Sequence, residues 1–332
     1  IRAVSARWVF DGCGRRVLLA VNSLQDSAFV RNRVAYGLFR SWGAERAPRL
    51  APDTRHAEVF MNGRYYGLFE IAERIDEDLL ADGAPPSAED PGSPRWIIYR
   101  HESLSPRTSD MRARRPGDHD GDFSEPYLEL ERFLARPTDE AWERELARRL
   151  DLASLADYQL LLNIFQNRNG YPFRFLLHEA LAYDVAGQTF FHVPWDFEAG
   201  TRQGEWEWLQ SGLMERLERE SPSYAARLAA RWRELRERGG LTPEALEARI
   251  DEAARPLRGY VEWDYVRWSY YPKNDWTVWL EDLKMLLRES LERMDERLGG
   301  SAAVQPANGE LQAKWDRRLG SSENSFMGGG SL

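Results

Sequence analysis

The sequence predicts a chain of mixed helix and strand, and three stretches carry that expectation. Residues 56–61 and 64–70 alternate apolar and polar around Asn62-Gly63, the strongest short-range signal for a β-hairpin. Residues 157–167 form an apolar helical run that ends at Arg168-Asn169-Gly170-Tyr171-Pro172, a polar turn no helix can cross. Beyond residue 222 the pattern is helical, with start and stop signals of its own. The element pattern alone gives a mixed architecture and no particular topology.

In chain order, residues 16–21 read as a strand. Asp26 is placed to cap a helix over residues 27–42. After the 56–70 hairpin, residues 82–95 are rich in Pro, Gly and Ser and read as a loop. Residues 96–99 form a short strand, and 102–125 a long polar excursion expected to be mobile. Residues 127–134 and 139–150 are amphipathic helices separated by Pro137. The helix of 157–167 leads through the polar turn to a strand at 173–177, a turn at Ala186-Gly187, and a strand at 190–193. Helices follow at 224–238, stopped by Gly239-Gly240, then at 244–258 behind Thr242-Pro243, and at 279–298. The Trp-rich stretch 263–279 is expected to be packing rather than a ligand platform. From Gly299 onward the chain is polar and Gly/Ser-rich, a tail with little to bury; its end, 327–332, has the look of an expression scar.

The chemistry concentrates between Asp157 and Glu198. Pro194-Trp195-Asp196-Phe197-Glu198 follows the last strand of this stretch, and on an extended backbone Asp196 and Glu198 would face one side. Helix, polar loop, hairpin and carboxylate pair is the order in which protein-kinase-type phosphotransferases place a catalytic loop and a metal-binding Asp. A second acidic run, Asp118, Asp120 and Asp122 with Glu129 at the twelfth position, echoes a calcium loop. Phe123 stands where that loop needs a Gly, so the spacing argues against calcium and for a solvated acidic turn.

Composition narrows the classes. The chain has 332 residues, a net charge of −9 and a pI near 5.3, which argue against a nucleic-acid partner. One cysteine, Cys13, excludes an internal disulfide framework and a cysteine metal site. No apolar run approaches the ~20 residues of a membrane span. Residue 1 is Ile, so removal of an N-terminal segment and secretion both stay open. Lysine occurs only at Lys273, Lys284 and Lys314, so a cation on nucleotide phosphates would have to be Arg or lie upstream of Ile1.

Several of these motifs together resemble the spore-coat CotH kinase-like family. Met61-Asn62-Gly63-Arg64-Tyr65-Tyr66-Gly67-Leu68-Phe69 with Glu73-Arg74-Ile75-Asp76 is similar to its Asn-Gly-x-Tyr-x-Gly-x-Tyr and Glu-x-Ile-Asp segments. Asp26 to Asn32 is similar to its Asp-x-Ser-x-x-Arg-Asn, and Pro194 to Glu198 to its Pro-Trp-Asp-Leu/Phe-Asp. By pattern the resemblance runs from about Val4 to Leu298. It implies an α+β, protein-kinase-like two-lobed fold in a single domain, residues 1–298. The N-terminal lobe would be β-rich (about 1–125) and the C-terminal lobe helical (about 126–298), with 299–332 as a flexible tail.

The resemblance also implies ATP with magnesium or manganese, a protein Ser/Thr substrate or a coat or surface partner, and a secreted, spore-surface or cell-surface location. Asp196 would bind the metal and Glu198 assist. Arg31 reads as a salt bridge or phosphate contact in the cleft, or as a solvated helix residue. Glu73 reads as an ion-pair Glu of the nucleotide lobe, or as a carboxylate at a helix start. Three departures carry chemical content. The family's Asp, which resembles the catalytic-loop Asp of kinases, falls on Asn169, and a neutral amide cannot accept a proton from an acceptor hydroxyl. The family's metal-binding Asn falls on Arg174, which is cationic. Its Arg-Gly-x-Ser-Ser stretch and Lys-Lys pair are missing ahead of Val4-Ser5-Ala6-Arg7-Trp8. The expectation is therefore a kinase-like protein with weak or lost activity, or a non-catalytic pseudokinase acting as a scaffold.

Overall fold

A computed structural model describes residues 6–8, 18–21, 25–43, 49–76, 79–80, 96–101, 111–114, 124–167, 181–198, 200, 205–238, 240–268 and 275–299. Two four-stranded antiparallel sheets and a set of helices make the fold α+β. The first sheet holds β1 (Ala6–Trp8), β2 (Leu18–Val21), β3 (Thr54–Met61) and β4 (Arg64–Glu73) in the order β1-β2-β4-β3. Its hairpin forms where the sequence predicts. Asn62 and Gly63 take φ of 52° and 75°, both in the left-handed region that a two-residue turn of this hand requires.

The second sheet holds β5 (Trp96–His101), β6 (Met111–Arg114), β7 (Leu181–Asp184) and β8 (Thr189–His192) in the order β6-β5-β7-β8. Two expectations change here. Part of the polar excursion at 102–125 is the strand β6, whose Met-Arg-Ala-Arg sequence alternates but over only four residues, too short a run to stand out from the polar segment around it. The strand paired with β8 across the 186–187 turn is Leu-Ala-Tyr-Asp at 181–184. The strand expected at 173–177 lies outside the described residues.

Helix α1 (Arg31–Ser41) starts four residues later than Asp26 suggests. Phe29, at φ 61°, breaks the helical path, and residues 26–29 close a turn through Phe29 N–H to the Asp26 carbonyl at 3.0 Å. Helices α2 (Glu125–Leu134), α3 (Glu140–Arg149) and α4 (Leu152–Phe165) follow. Asp139 caps α3 by accepting the Trp142 N–H, and Asp151 caps α4 by accepting those of Ala153 and Ser154. Then come α5 (Gly212–Glu220), α6 (Pro222–Glu237), α7 (Pro243–Ala254) with a 3₁₀ turn at Arg255–Leu257, α8 (Tyr260–Arg267) and α9 (Trp276–Leu298). Ser211, Ser221 and Thr242 cap α5, α6 and α7.

Helix α4 is buried on every face from Ser154 to Phe165, so it shows no amphipathic stripe and reads in sequence as a plain apolar run. It touches α1, α6, α9 and β8. Within it Asp157, 1% exposed, accepts from Arg49 Nε at 2.6 Å and from Arg231 Nε at 2.7 Å. That carboxylate ties the chain before β3 and helix α6 to the middle of the core. Trp276 of the Trp-rich stretch is buried, with Nε1 on the Ala28 carbonyl at 3.1 Å, as packing requires. Trp263 departs from that expectation and is 66% exposed.

Asp157→Ala removes the buried carboxylate that Arg49 and Arg231 share, while Arg49 keeps Asp151 at 3.7 Å and Arg231 keeps Glu234 and the Trp42 carbonyl. It should cost about 3–5 kcal/mol, against about 1 kcal/mol for Asp139→Ala at a solvated helix cap. Urea unfolding of the two variants beside the parent measures the difference.

Candidate functional site

The Pro194–Glu198 segment leaves β8 and is fixed by three side chains. The Asp196 N–H donates to Tyr36 Oη at 2.9 Å, and Asn167 Nδ2 donates to the Asp196 carbonyl at 2.9 Å. The Phe197 N–H donates to Asn32 Oδ1 at 2.7 Å. The Phe197 ring is fully buried, with the rings of Tyr36, Tyr158 and Phe165 at edge-on angles around it. Held in this way, Asp196 takes φ 55°. That value breaks the extended backbone on which the same-face argument for Asp196 and Glu198 rested. The two carboxylates still feel each other, because Asp196 is among the charges that raise the Glu198 pKa.

Asn32 joins this segment to the first sheet. Its Nδ2 donates to Glu70 Oε2 on β4 at 2.8 Å and lies 3.4 Å from Glu198 Oε1. Asp26 completes the acidic group: 3% exposed, it accepts the N–H groups of Ala28 and Arg31. Burial raises the Asp26 pKa in spite of Arg31 and those donors. Burial pushes Glu198 up to about 9, with Asp196, Glu70 and Asp26 adding repulsion and the Asn32 bond opposing it. Glu70 rises to about 7 by burial, against the Asn32 and Thr54 hydrogen bonds. Near neutral pH Glu198 therefore holds its proton, and a cation entering beside it would release that proton.

Arg31 sits against this acid group. Its side chain is 13% exposed and its Nε lies 3.7 Å from Asp26 Oδ1. Burial lowers its pKa while Asp26 and Asp282 raise it. Its Nη1 is buried without a hydrogen-bond partner. Gly200 is packed so tightly on this guanidinium that a Cβ there would collide with Nη1.

The structure distributes the sequence-predicted residues unevenly. Asp196 and Glu198 act on each other and, through Glu198, on Asp26, which is the carboxylate that Arg31 faces. Glu73 stands half-buried at the end of β4 rather than at a helix start, with Oε2 accepting the Asp53 N–H at 2.8 Å. Asn169 and Arg174 lie outside the described residues, as do Asp118, Asp120 and Asp122; Glu129 is on the exposed side of α2. Sequence reasoning missed Glu70 and Asn32. A carboxylate inside the buried run Gly67–Glu70 was the available signal for the first. For the second it was the residue beside Arg31 in the same motif. Among the described residues no three His, Cys, Asp or Glu side chains form a ready metal-holding group. The pair Asp196 and Glu198 suits instead an ion that takes one or two carboxylates and completes its shell with phosphate oxygens and water, the habit of magnesium. The unpaired Arg31 donor suits a phosphate.

The fold is α+β, with an acidic centre at the junction of β4, α1 and the segment after β8, and the family match makes the protein kinase-like. The chain belongs to the CotH kinase family: the family described as CotH kinase protein matches residues 6–294. No curated protein matches the chain.

The raised pKa of Glu198 fixes the sign of a pH effect. The folded chain binds a proton that the unfolded chain releases between about pH 4.5 and about pH 9. Stability from this group is thus full below the lower value and lost as pH rises through the upper one. In the presence of a chelator, stability should fall from pH 7 to pH 9 by up to about 1.4 kcal/mol per pH unit. Glu198→Gln should flatten that slope, as read by urea titrations at both ends of the range.

Proposed function

We propose that the chain is a two-lobed, kinase-like protein that binds a nucleotide with magnesium or manganese between its lobes and transfers phosphate weakly or not at all. The observation that carries this reading is the buried acid group of Glu198, Glu70 and Asp26 beside the unpaired Nη1 of Arg31. Asp196 would hold the metal, Glu198 would assist once deprotonated, and Arg31 would take a phosphate oxygen, the role an early-strand lysine has in protein kinases. When bound, a metal nucleotide supplies a transferable phosphoryl group and neutralises the acidic centre. The chain's own part is to orient: Tyr36, Asn167 and Asn32 fix the backbone that carries Asp196 and Glu198. Asn169 cannot serve as a base for a Ser or Thr hydroxyl, and Arg174 cannot ligate a second ion. These two residues favour a pseudokinase that scaffolds a spore-coat or cell-surface assembly over an active protein kinase. No helix among the described residues is long and apolar enough to cross a membrane.

Calorimetric titration with ATP, with and without magnesium or manganese, tests the binding. Metal-dependent heat that disappears in Asp196→Ala is the expected result; equal affinity in that variant would sink the assignment. Arg31→Gln should weaken ATP by about ten-fold or more while leaving adenosine unaffected.

Radiolabelled transfer to the chain itself and to a basic Ser-rich protein should stay near background. The loss of a base or a metal typically costs on the order of 3–6 kcal/mol in barrier. Robust transfer that Asp196→Ala abolishes would overturn the pseudokinase reading. Asn169→Asp combined with Arg174→Asn should raise the rate.

A further inference from the structure

Among the described residues seven large apolar side chains are exposed, and six of them sit on two elements that touch. The β3–β4 hairpin carries Phe60, Met61 and Tyr66; α8 carries Tyr260, Trp263 and Val266. Phe60 is 60%, Trp263 66% and Val266 77% exposed, values far from those of a packed side chain. The hairpin presents its residues through a bulge. Val59 pairs with Gly67 and Phe60 with Tyr65, so Tyr66 is the extra residue and leaves the regular alternation. On α8 the buried Val261 and Asp264 mark the inward side, and Tyr260, Trp263 and Val266 follow one another at three-residue steps on the other.

The two elements are locked together. Asp264 Oδ1 accepts the Leu68 N–H at 2.7 Å, and the Tyr66 ring meets Trp268 edge-on at 5.6 Å. Gly67, at φ 150°, lets α8 come this close: a Cβ there would lie 2.8 Å from Trp268 Nε1. The apolar residues are therefore presented from a fixed support rather than from a loose loop.

The charge around them has the opposite sign to the chain. Arg64, Arg255, Arg258 and Arg267 are exposed at the hairpin tip, on α8 and on the chain that leads from α7 into α8, against the exposed carboxylates Glu58 and Glu262, while the whole chain carries −9. Face-to-face pairing with a second copy would set these guanidinium groups against their own kind. Aromatic rings that sit at headgroup level, aliphatic groups that reach the acyl boundary and guanidinium groups that meet phosphate suit one surface. We propose that the β3–β4 hairpin tip and the outer face of α8 dock peripherally on an anionic phospholipid bilayer. This inference is independent of the nucleotide site.

Vesicle co-sedimentation of the full chain tests it, with zwitterionic phosphatidylcholine alone and with about a third phosphatidylglycerol. The chain should sediment with the anionic vesicles only, and less so as salt rises. Phe60→Ser with Trp263→Ser should lower the bound fraction about ten-fold or more at unchanged thermal midpoint. Arg64→Glu with Arg258→Glu, which leaves the apolar groups in place, should do the same. Failure of the parent chain to bind the anionic vesicles at low salt overturns the proposal. So does binding that either double variant retains. A concentration-dependent dimer that the Phe60/Trp263 variant loses assigns the face to a second copy, and that also overturns it.

Discussion

The site depends on one neutral side chain among acids. The Asn32 amide accepts the Phe197 N–H through its oxygen and offers its nitrogen to Glu70 and, at longer range, to Glu198. A carboxylate at this position could accept the Phe197 N–H but would add a negative charge to a centre that already pushes Glu198 up to about 9. An aliphatic residue would leave a buried N–H and a buried carboxylate oxygen without partners, each costing about 1–3 kcal/mol. Only a group that donates and accepts without charge satisfies both neighbours. The amide thereby connects α1, β4 and the segment after β8, the three elements that supply the acidic centre.

The same device recurs at the end of α4, where it fixes the chain on the far side of that centre. Asn163 Oδ1 accepts the Leu209 N–H at 2.7 Å while its Nδ2 donates to the Leu209 carbonyl at 2.8 Å. Gln166 does likewise with Glu207, at 3.0 Å in each direction. Two side-chain amides thus imitate the ladder of a neighbouring strand for the segment at 205–210, which belongs to neither sheet. Gln166 itself ends the helix at φ 49°, and Asn167 next to it holds the Asp196 carbonyl. The largely apolar helix ends in polar residues that hold the 205–210 segment and, through Asn167, the Asp196 backbone.

The parts of this arrangement that were legible in the sequence are those in which local chemistry decides structure. Asn62-Gly63 specifies its turn by backbone angle alone, and Pro243 behind Thr242 specifies a helix start. The acids that matter were partly hidden, because their role comes from burial by distant elements. The sequence ends the hairpin strand at Glu70 and leaves Glu73 to a helix start, whereas β4 runs through both and its alternation turns Glu70 to Asn32 and Glu73 to the Asp53 N–H. Asp26 has the composition of a helix cap, yet Phe29 takes a left-handed φ and delays the helix to Arg31. The strand Met111–Arg114 was illegible for a different reason. It is defined by pairing with β5, and an alternation only four residues long cannot signal a partner some ten residues away.

The position of Gly200 joins these constraints to the proposed chemistry. Arg31 and Asp26 form a buried ion pair in which the guanidinium keeps one unpaired donor. A buried donor of this kind costs stability as long as it stays unpaired. Gly200 closes over that guanidinium with no room for a side chain, and its backbone bridges to Asn167. Asn167 in turn holds Asp196. The Arg31 guanidinium thus packs on a backbone that, within two hydrogen-bonded steps, carries Asp196.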